Sequence, residues 1–261
     1  MDLPYWLRSA SYFGMFFVLL GLEWLAPFAR SEQPKSFRIF FHLGISVGNS
    51  IVLNPLLTWP IYAVLAYTRQ HGLGVTHWLG LGGGWELLAT VVFFDCWDYG
   101  MHLANHKIGF LWRFHKAHHS DMEVDVTTAS RFHFGELFIS GSVKCLMILI
   151  WGPSLWGLVL FEVFLTGASQ FHHSNLNIPL EIQDWIEKVV VTPRMHRCHH
   201  ALHSNCFNTN FSSILSVWDR LAQTYHWGRQ TGELAPIGLF KPRGPETMQL
   251  KPFLLTPLRG R

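Results

Sequence analysis

The sequence predicts an all-α, multi-pass membrane helical bundle of about four spans, carrying a cytoplasmic His-rich cap built for two metal ions. Three observations predict it. The 261-residue chain is 49% hydrophobic and only 14% charged, where soluble domains average about 25% charged. Its apolar residues gather in long runs separated by short polar or Pro/Gly-containing connections. It holds 16 histidines, many of them in spaced clusters that follow the ends of those runs. The net charge of +3 is small and no basic stripe is present, which argues against a nucleic-acid partner.

The first run, 9–29, is long enough to span about 30 Å of hydrocarbon. No small-x-small cleavage site follows it, so it reads as a retained anchor rather than a signal peptide. Glu23 lies inside it, near an end or facing protein. A polar, basic loop (30–38) carries Arg30, Lys35 and Arg38. Block 39–67 exceeds one span, and Asn54-Pro55 and Trp59-Pro60 interrupt it. The spacing predicts a kinked span, or a span plus an interfacial segment. The stretch Gly80-Leu81-Gly82-Gly83-Gly84 lacks a preceding strand and the G-x-G-x-x-G pattern, so it is a helix-entry loop, not a nucleotide loop. A third span, 85–104, carries Asp95 and Asp98. Residues 105–135 form a polar, His-rich connection. Runs 136–150 and 155–171 flank Trp151-Gly152-Pro153-Ser154 and read as a helical hairpin. Beyond His173 the chain turns polar, with no further run of about 18 apolar residues, and no Lys-Asp-Glu-Leu-type signal closes it.

Lys and Arg alternate between connections. Loop 30–38, the His loop (Lys107, Arg113, Lys116, Arg131) and the C-terminal region (Lys188, Arg194, Arg197) are basic. Segment 68–79 has only Arg69, and the hairpin turn has none. By the positive-inside rule the basic connections face the cytoplasm. The four cysteines (Cys96, Cys145, Cys198, Cys206) show no C-x-x-C spacing and no disulfide framework. Cys96 and Cys145 read as small core residues.

His102 and His106 are four apart and share a helix face. His115, His118 and His119 form an H-x-x-H-H run, and His196, His199 and His200 repeat it. Imidazole suits iron, zinc, copper and nickel. A mononuclear site takes about four protein ligands or fewer, so eight imidazoles point to two metals, or to one with bystanders. Asp98, four before His102, can reach the same face and accept its Nδ1–H. Cys198 points away from His196 and His199 on a helix and is no ligand. His42, His71, His77, His203 and His226 read as structural or surface residues. A zincin would show H-E-x-x-H, but the chain has His102-Leu103-Ala104-Asn105-His106. A His-rich membrane metal-binding or metal-transport protein would place imidazoles within several spans. A bis-His haem protein would need ligands on facing spans. Here the clusters stand beyond the span ends.

From about Trp85 to Tyr225 these residues fall in an ordered set of motifs. They are Asp98-Tyr99-Gly100-Met101-His102-Leu103-Ala104-Asn105-His106, Trp112-Arg113-Phe114-His115-Lys116-Ala117-His118-His119 and Thr127-Thr128-Ala129-Ser130-Arg131-Phe132-His133, with Glu136 close behind. His173-Ser174-Asn175, Thr192-Pro193-Arg194-Met195-His196-Arg197-Cys198-His199-His200 and Ser216-Val217-Trp218-Asp219-Arg220-Leu221 follow. In this set the chain resembles the fatty acid hydroxylase superfamily, also called the sterol desaturase family. It departs in one place: Phe134 follows His133 where the family usually has Pro.

The resemblance implies a membrane-embedded di-iron oxygenase that uses O2 to hydroxylate or desaturate a C–H bond of a lipid. Sterol, fatty-acyl, sphingoid, alkylglycerol and carotenoid substrates all fall within it. By similarity the ligands to two iron ions are His102, His106, His115, His118, His119, His196, His199 and His200, with His133 and His173 in addition. His173, directly before Ser-Asn, is preferred to His172. Neutral imidazoles leave the metal charge uncompensated, and Asp95, Asp98 and Glu136 are the carboxylates placed to offset it. The division that follows is 1–84 for membrane anchoring, 85–228 for the catalytic domain and 229–261 for a polar tail. No electron-transfer motif is visible, so an external donor is expected, a b-type cytochrome or a ferredoxin with its reductase.

Overall fold

Proline and glycine punctuation sets out the helices. A computed structural model describes residues 5–202, 205–206, 208–227, 235–241 and 243–259. Helix α1 (Tyr5–Leu25) is followed by α2 (Lys35–Leu53), which passes through a π-turn at Asn54–Thr58 into α3 (Trp59–His71). Pro55 and Pro60 each remove a backbone donor there, and a π-turn absorbs such a break without ending the helix. A short α4 (Val75–Trp78) leads to α5 (Gly83–Lys107), and α6 (Gly109–His119) follows after a single residue. Helices α7 (Phe134–Trp151) and α8 (Leu155–His173) form the expected hairpin. The remaining helices are short: α9 (Leu180–Ile186), α10 (Pro193–His200), α11 (Val217–Leu221) and α12 (Leu250–Leu254). Among the described residues there is no strand, only isolated bridges such as Val190 with Leu215.

The bundle core lies where α5 and α8 pack together, with α3 and α7 alongside. Val91 and Phe94 of α5 meet Leu158 and Phe161 of α8, and Leu65 and Ile148 close the cluster. Gly157 permits the close approach, since a Cβ there would come within 2.9 Å of the Glu86 carboxylate and 3.1 Å of Thr90. Glu86 accepts from the Ser154 backbone N–H and hydroxyl and from Thr90, tying the first turn of α5 to the start of α8. Away from the histidines, Gly74 and Gly152 meet backbone to backbone. Both have positive φ, and a Cβ on Gly74 would lie 2.5 Å from the Gly152 nitrogen. Two helical stretches, Lys35–Trp78 and Phe134–Trp151, are long and apolar enough to cross a membrane.

Four expectations change. Residues 35–38 are the first turn of α2 rather than loop, because their cations meet buried carboxylates. Arg38 is fully buried and donates to Asp121 at 2.9 and 3.0 Å and to Asp125 at 2.7 Å, while Lys35 pairs with Glu23. Cys96 is exposed and Cys145 half-buried, so neither is a core residue. Cys198 and Cys206 form a disulfide, since the turn after α10 folds Cys206 back beneath the helix face that turns away from the imidazoles. The described part of 229–261 does not trail into solvent. Ile237, Met248 and Phe253 are buried, and Phe253 packs on Ile45 and Ala117.

Candidate metal centre

Four helix segments deliver the imidazoles. The last two turns of α5 carry His102 and His106, α6 carries His115, His118 and His119, the end of α8 carries His173, and α10 carries His196, His199 and His200. Helix α10 starts where Pro193 occupies its first turn and the Thr192 hydroxyl accepts from Met195 N–H, a cap that sets the register of its three histidines. The C-terminal carbonyls of α6 are held by buried Arg131, which donates to Ala117 O, to His118 O at 3.1 Å and to Thr247 O at 2.7 Å.

The side chains divide into two groups whose ligand atoms lie within 4.8 Å of one another. His102, His106, His115, His119 and His199 form one, and His118, His173, His196 and His200 the other. Backbone carbonyls orient four of the nine. His102 Nδ1 lies 2.8 Å from Phe211 O, His199 Nδ1 2.7 Å from Thr209 O, and His173 Nδ1 2.7 Å from Ser169 O. His118 Nδ1 lies 3.3 Å from Arg131 O. A carbonyl only accepts, so each Nδ1 carries the proton and each Nε2 presents a lone pair.

Those lone pairs face one another. His118 Nε2 is 3.1 Å from His173 Nε2, His173 Nε2 is 2.9 Å from His196 Nε2, and His119 Nε2 is 3.2 Å from His199 Nε2. With both Nδ1 positions protonated, no hydrogen lies between His118 and His173. Such a contact is repulsive unless a cation sits among the nitrogens. Four nitrogens about 2.0–2.1 Å from a tetrahedral ion stand about 3.3 Å apart, close to the spacing seen. Both ring nitrogens of His106 and Nε2 of His115 are buried with no hydrogen-bond partner. Unsatisfied buried imidazole of this kind is costly in an apo protein, and the donor set fits two first-row metal ions.

Electrostatics agree. Burial first, and neighbouring imidazoles second, hold His118, His119, His196 and His200 well below the ordinary histidine range. Burial pushes His199 down to about 3, although the Thr209 carbonyl favours its charged form. Neutral imidazole is the form that binds a metal.

The three expected carboxylates part company. Glu136 Oε1 lies 2.7 Å from His115 Nδ1 and also accepts from Asn105. Asp98 does not reach His102. It accepts from the Ser213 hydroxyl at 2.5 Å, and the Phe211 carbonyl accepts from His102 Nδ1–H instead. Asp95 accepts from Ile214 N–H, Leu215 N–H and Trp218 Nε1, and Asp219 from Phe211 and Ser212 N–H. These two acids fix the 209–219 loop that supplies the carbonyls, and the Trp218-Asp219-Arg220 motif thereby braces the site.

His133 stands outside both groups. Its Nδ1 accepts from Gly135 N–H at 3.0 Å as the N-cap of α7, and its Nε2 lies 3.2 Å from Leu254 O, so both ring nitrogens are engaged. His172 lies beside His196, with ring centroids 4.1 Å apart, but its Nδ1 faces Ser213 O. His42 is buried against Thr127, while His203 falls outside the described residues. Cys198, Cys206 and His226 also cluster, yet the disulfide removes the thiolates a metal would need.

Residues 87–224 match the family model described as fatty acid hydroxylase. The chain is 24% identical over 264 residues to alkylglycerol monooxygenase of Xenopus tropicalis, covering 92% of this chain and 53% of the relative. It is 28% identical over 135 residues to ornithine lipid hydroxylase OlsE of Rhizobium tropici, covering 49% and 39%. It is 28% identical over 145 residues to human cholesterol 25-hydroxylase, covering 53% and 50%. The chain thus spans about half the length of these relatives or less. No solved structure matches it.

Proposed function

This chain belongs to the fatty acid hydroxylase family, and from that premise we propose that it is a multi-pass membrane di-iron enzyme that hydroxylates a lipid with O2. The carrying observation is the two imidazole groups, in each of which the ligand atoms lie within 4.8 Å of one another, with four Nε2–Nε2 pairs at 2.9–3.2 Å. Hydroxylation is favoured over desaturation, because the relatives carry the names of hydroxylases and monooxygenases.

His102, His106, His115, His119 and His199 would hold one iron, and His118, His173, His196 and His200 the other. Bound iron supplies O2 activation and the oxidising power to attack an unactivated C–H bond. The chain supplies the rest. Carbonyls of Phe211, Thr209, Ser169 and Arg131 hold the Nδ1 protons, so the imidazoles keep one tautomer. Glu136 holds the proton at His115 Nδ1 and sets negative charge beside an otherwise neutral ligand shell. Burial of nearly every imidazole keeps bulk water from the reacting carbon. Two electrons per turnover come from a separate donor, a b-type cytochrome or a ferredoxin with its reductase.

Membrane placement follows from lengths. At about 1.5 Å per residue α5 is about 38 Å long, against about 30 Å of hydrocarbon; read as a span, it would leave His102 and His106 at the bilayer surface. The basic connections favour the cytoplasmic side for that surface. The Cys198–Cys206 disulfide favours the opposite orientation, because disulfides persist in oxidising compartments. A reporter fused after Arg261 that is active only in the cytoplasm decides between them.

The test of function is metal analysis with Mössbauer spectroscopy on anaerobically purified protein, followed by turnover of lipid pools with O2 and a reductase. Two coupled irons per chain and an oxygenated lipid are expected. Protein that holds no metal after iron reconstitution would sink the oxygenase reading and revive a metal-transport role.

A further inference from the structure

Helix α9 and the turn after it are built inside out. Gln183 and Glu187 are buried, at 4% and 2% exposure, while Ile182, Trp185 and Val189 stand 50%, 71% and 59% exposed. We propose that this outward apolar stripe is seated in the interface of a lipid bilayer, a contact of the His-rich cap additional to the membrane spans. The proposal goes beyond the oxygenase reading and rests only on the membrane placement it contains.

Spacing is the first argument. Ile178, Ile182, Trp185 and Val189 follow the i, i+4, i+7, i+11 spacing of one helix face. Glu187 N–H donates to Gln183 O at 2.8 Å and Val190 N–H to Ile186 O at 2.9 Å, so the helical winding carries on through Val189. The opposite face is polar and engaged inside the protein. Gln183 accepts from Arg194 N–H at 3.0 Å, and Glu187 accepts from the Tyr225 hydroxyl at 2.6 Å and the Thr192 hydroxyl at 3.2 Å. Against water an amphipathic helix turns the other way, apolar side inward. This orientation is favourable where the outer medium is itself apolar.

The second argument is the flank. Glu181 and Lys188, both exposed, border the stripe on one side, and the Lys188 ammonium lies 3.4 Å from the centre of the Trp185 ring. A tryptophan with a cation laid over it sets an apolar ring among acyl chains and a charge at headgroup level. One acid and one base match zwitterionic headgroups, which carry both signs. A docking face for an acidic redox protein would gather cations alone.

Position is the third. Helix α8 ends at His173, in the metal centre, and α9 begins seven residues later. Between them Leu176 pairs with Pro27, and Asn177 N–H donates to Ala26 O at 2.9 Å, so α9 starts beside the end of α1. There Trp24 and Leu25 are exposed. The stripe prolongs that apolar surface around the cap, at the level where spans leave the hydrocarbon. On its inner side α9 holds Thr192 and Arg194, the N-cap and first turn of α10. The bilayer contact is thus one helix from His196, His199 and His200.

The test places a nitroxide at Ile182→Cys, Trp185→Cys or Val189→Cys, one at a time, in a C96S/C145S full chain reconstituted into phosphatidylcholine nanodiscs. Power-saturation electron paramagnetic resonance compares collision with O2, which concentrates among acyl chains, and with a water-soluble nickel chelate. Each label is expected to collide more with O2 than with the chelate. The three positions are read separately, so poor folding of one variant leaves the other two. Labels that collide more with the chelate overturn the proposal, because the stripe then faces water. Labels shielded from both reagents overturn it as well, and dipolar broadening then marks a second copy of the chain as the occupant. Chain that does not enter the nanodisc overturns the membrane placement itself. No arm depends on iron or turnover, so failure here is separable from failure of the oxygenase reading.

Discussion

An imidazole can bind a metal only through a nitrogen that nothing else occupies, and at this site the far nitrogen decides which one that is. Glu136 is the one acid bonded to an imidazole of the two groups among the described residues, through His115 Nδ1. Glu136→Gln is expected to lower metal affinity or activity about 10- to 100-fold, read by metal titration and turnover. Asp98→Asn, which touches only the Ser213 hydroxyl, should leave metal affinity nearly unchanged; an equal loss in both would show that charge rather than the hydrogen bond matters. His118→Ala and His199→Ala should abolish activity and lower metal content, and exposed His71→Ala should do neither. His133→Ala should keep the metal content of the unmutated protein and cost about 1 kcal/mol as a lost helix cap, so loss of metal in that variant would return His133 to the ligand set. At this scale the sequence was most legible for side chains with a spacing. His102 and His106, and the two H-x-x-H-H runs, could be placed on common faces from their numbering alone. The carbonyls of Phe211, Thr209 and Ser169 could not, because every residue has one and only the fold says where it points.

Helix junctions hold caps and buried ion pairs. Asp125 caps the 3₁₀ turn Val126–Ser130 in a reciprocal capping box with Thr128, and it also accepts from buried Arg38. Burial alone would raise its carboxyl, yet Arg38 and Lys35 override that and hold it well below the ordinary carboxylate range. The folded pKa is therefore lower than the unfolded one. Its contribution is complete above about pH 4 and is lost as pH falls toward the folded value. Asp125→Asn is expected to destabilise by about 3–5 kcal/mol and to flatten the acid limb of a melting-temperature profile in detergent. An unchanged acid limb would assign that limb to other groups. Gly157→Val should push α5 from α8 and cost about 1–3 kcal/mol, measured as a lower melting temperature. The apolar runs and the Gly152-Pro153 turn made the α7–α8 hairpin readable. The start of α2 was not, because Lys35 and Arg38 look like solvent-seeking loop residues until Glu23, Asp121 and Asp125 arrive from distant parts of the chain.

Across the whole molecule, the imidazoles join α5, α6, α8 and α10, so a metal bound among them would be coupled to the fold. Chelation is expected to lower the melting temperature, and a metal at 100 times its Kd should restore about 2.7 kcal/mol; identical melting of stripped and loaded protein would mean that the four segments hold without it. The helical class and the two apolar stretches of membrane-crossing length were legible from composition and run lengths. The Cys198–Cys206 link and the return of the C-terminal segment onto α6 were not, since both depend on contacts across turns of no regular period. At the end of the bundle remote from the clustered histidines, Gly74 and Gly152 meet backbone to backbone with no side chain of their own between them. Amide exchange should accordingly be slow in both turns. Mechanically that contact is a rivet. A bundle riveted at one end can splay only at the other, like tongs, so any widening between its helices would open beside the imidazole groups.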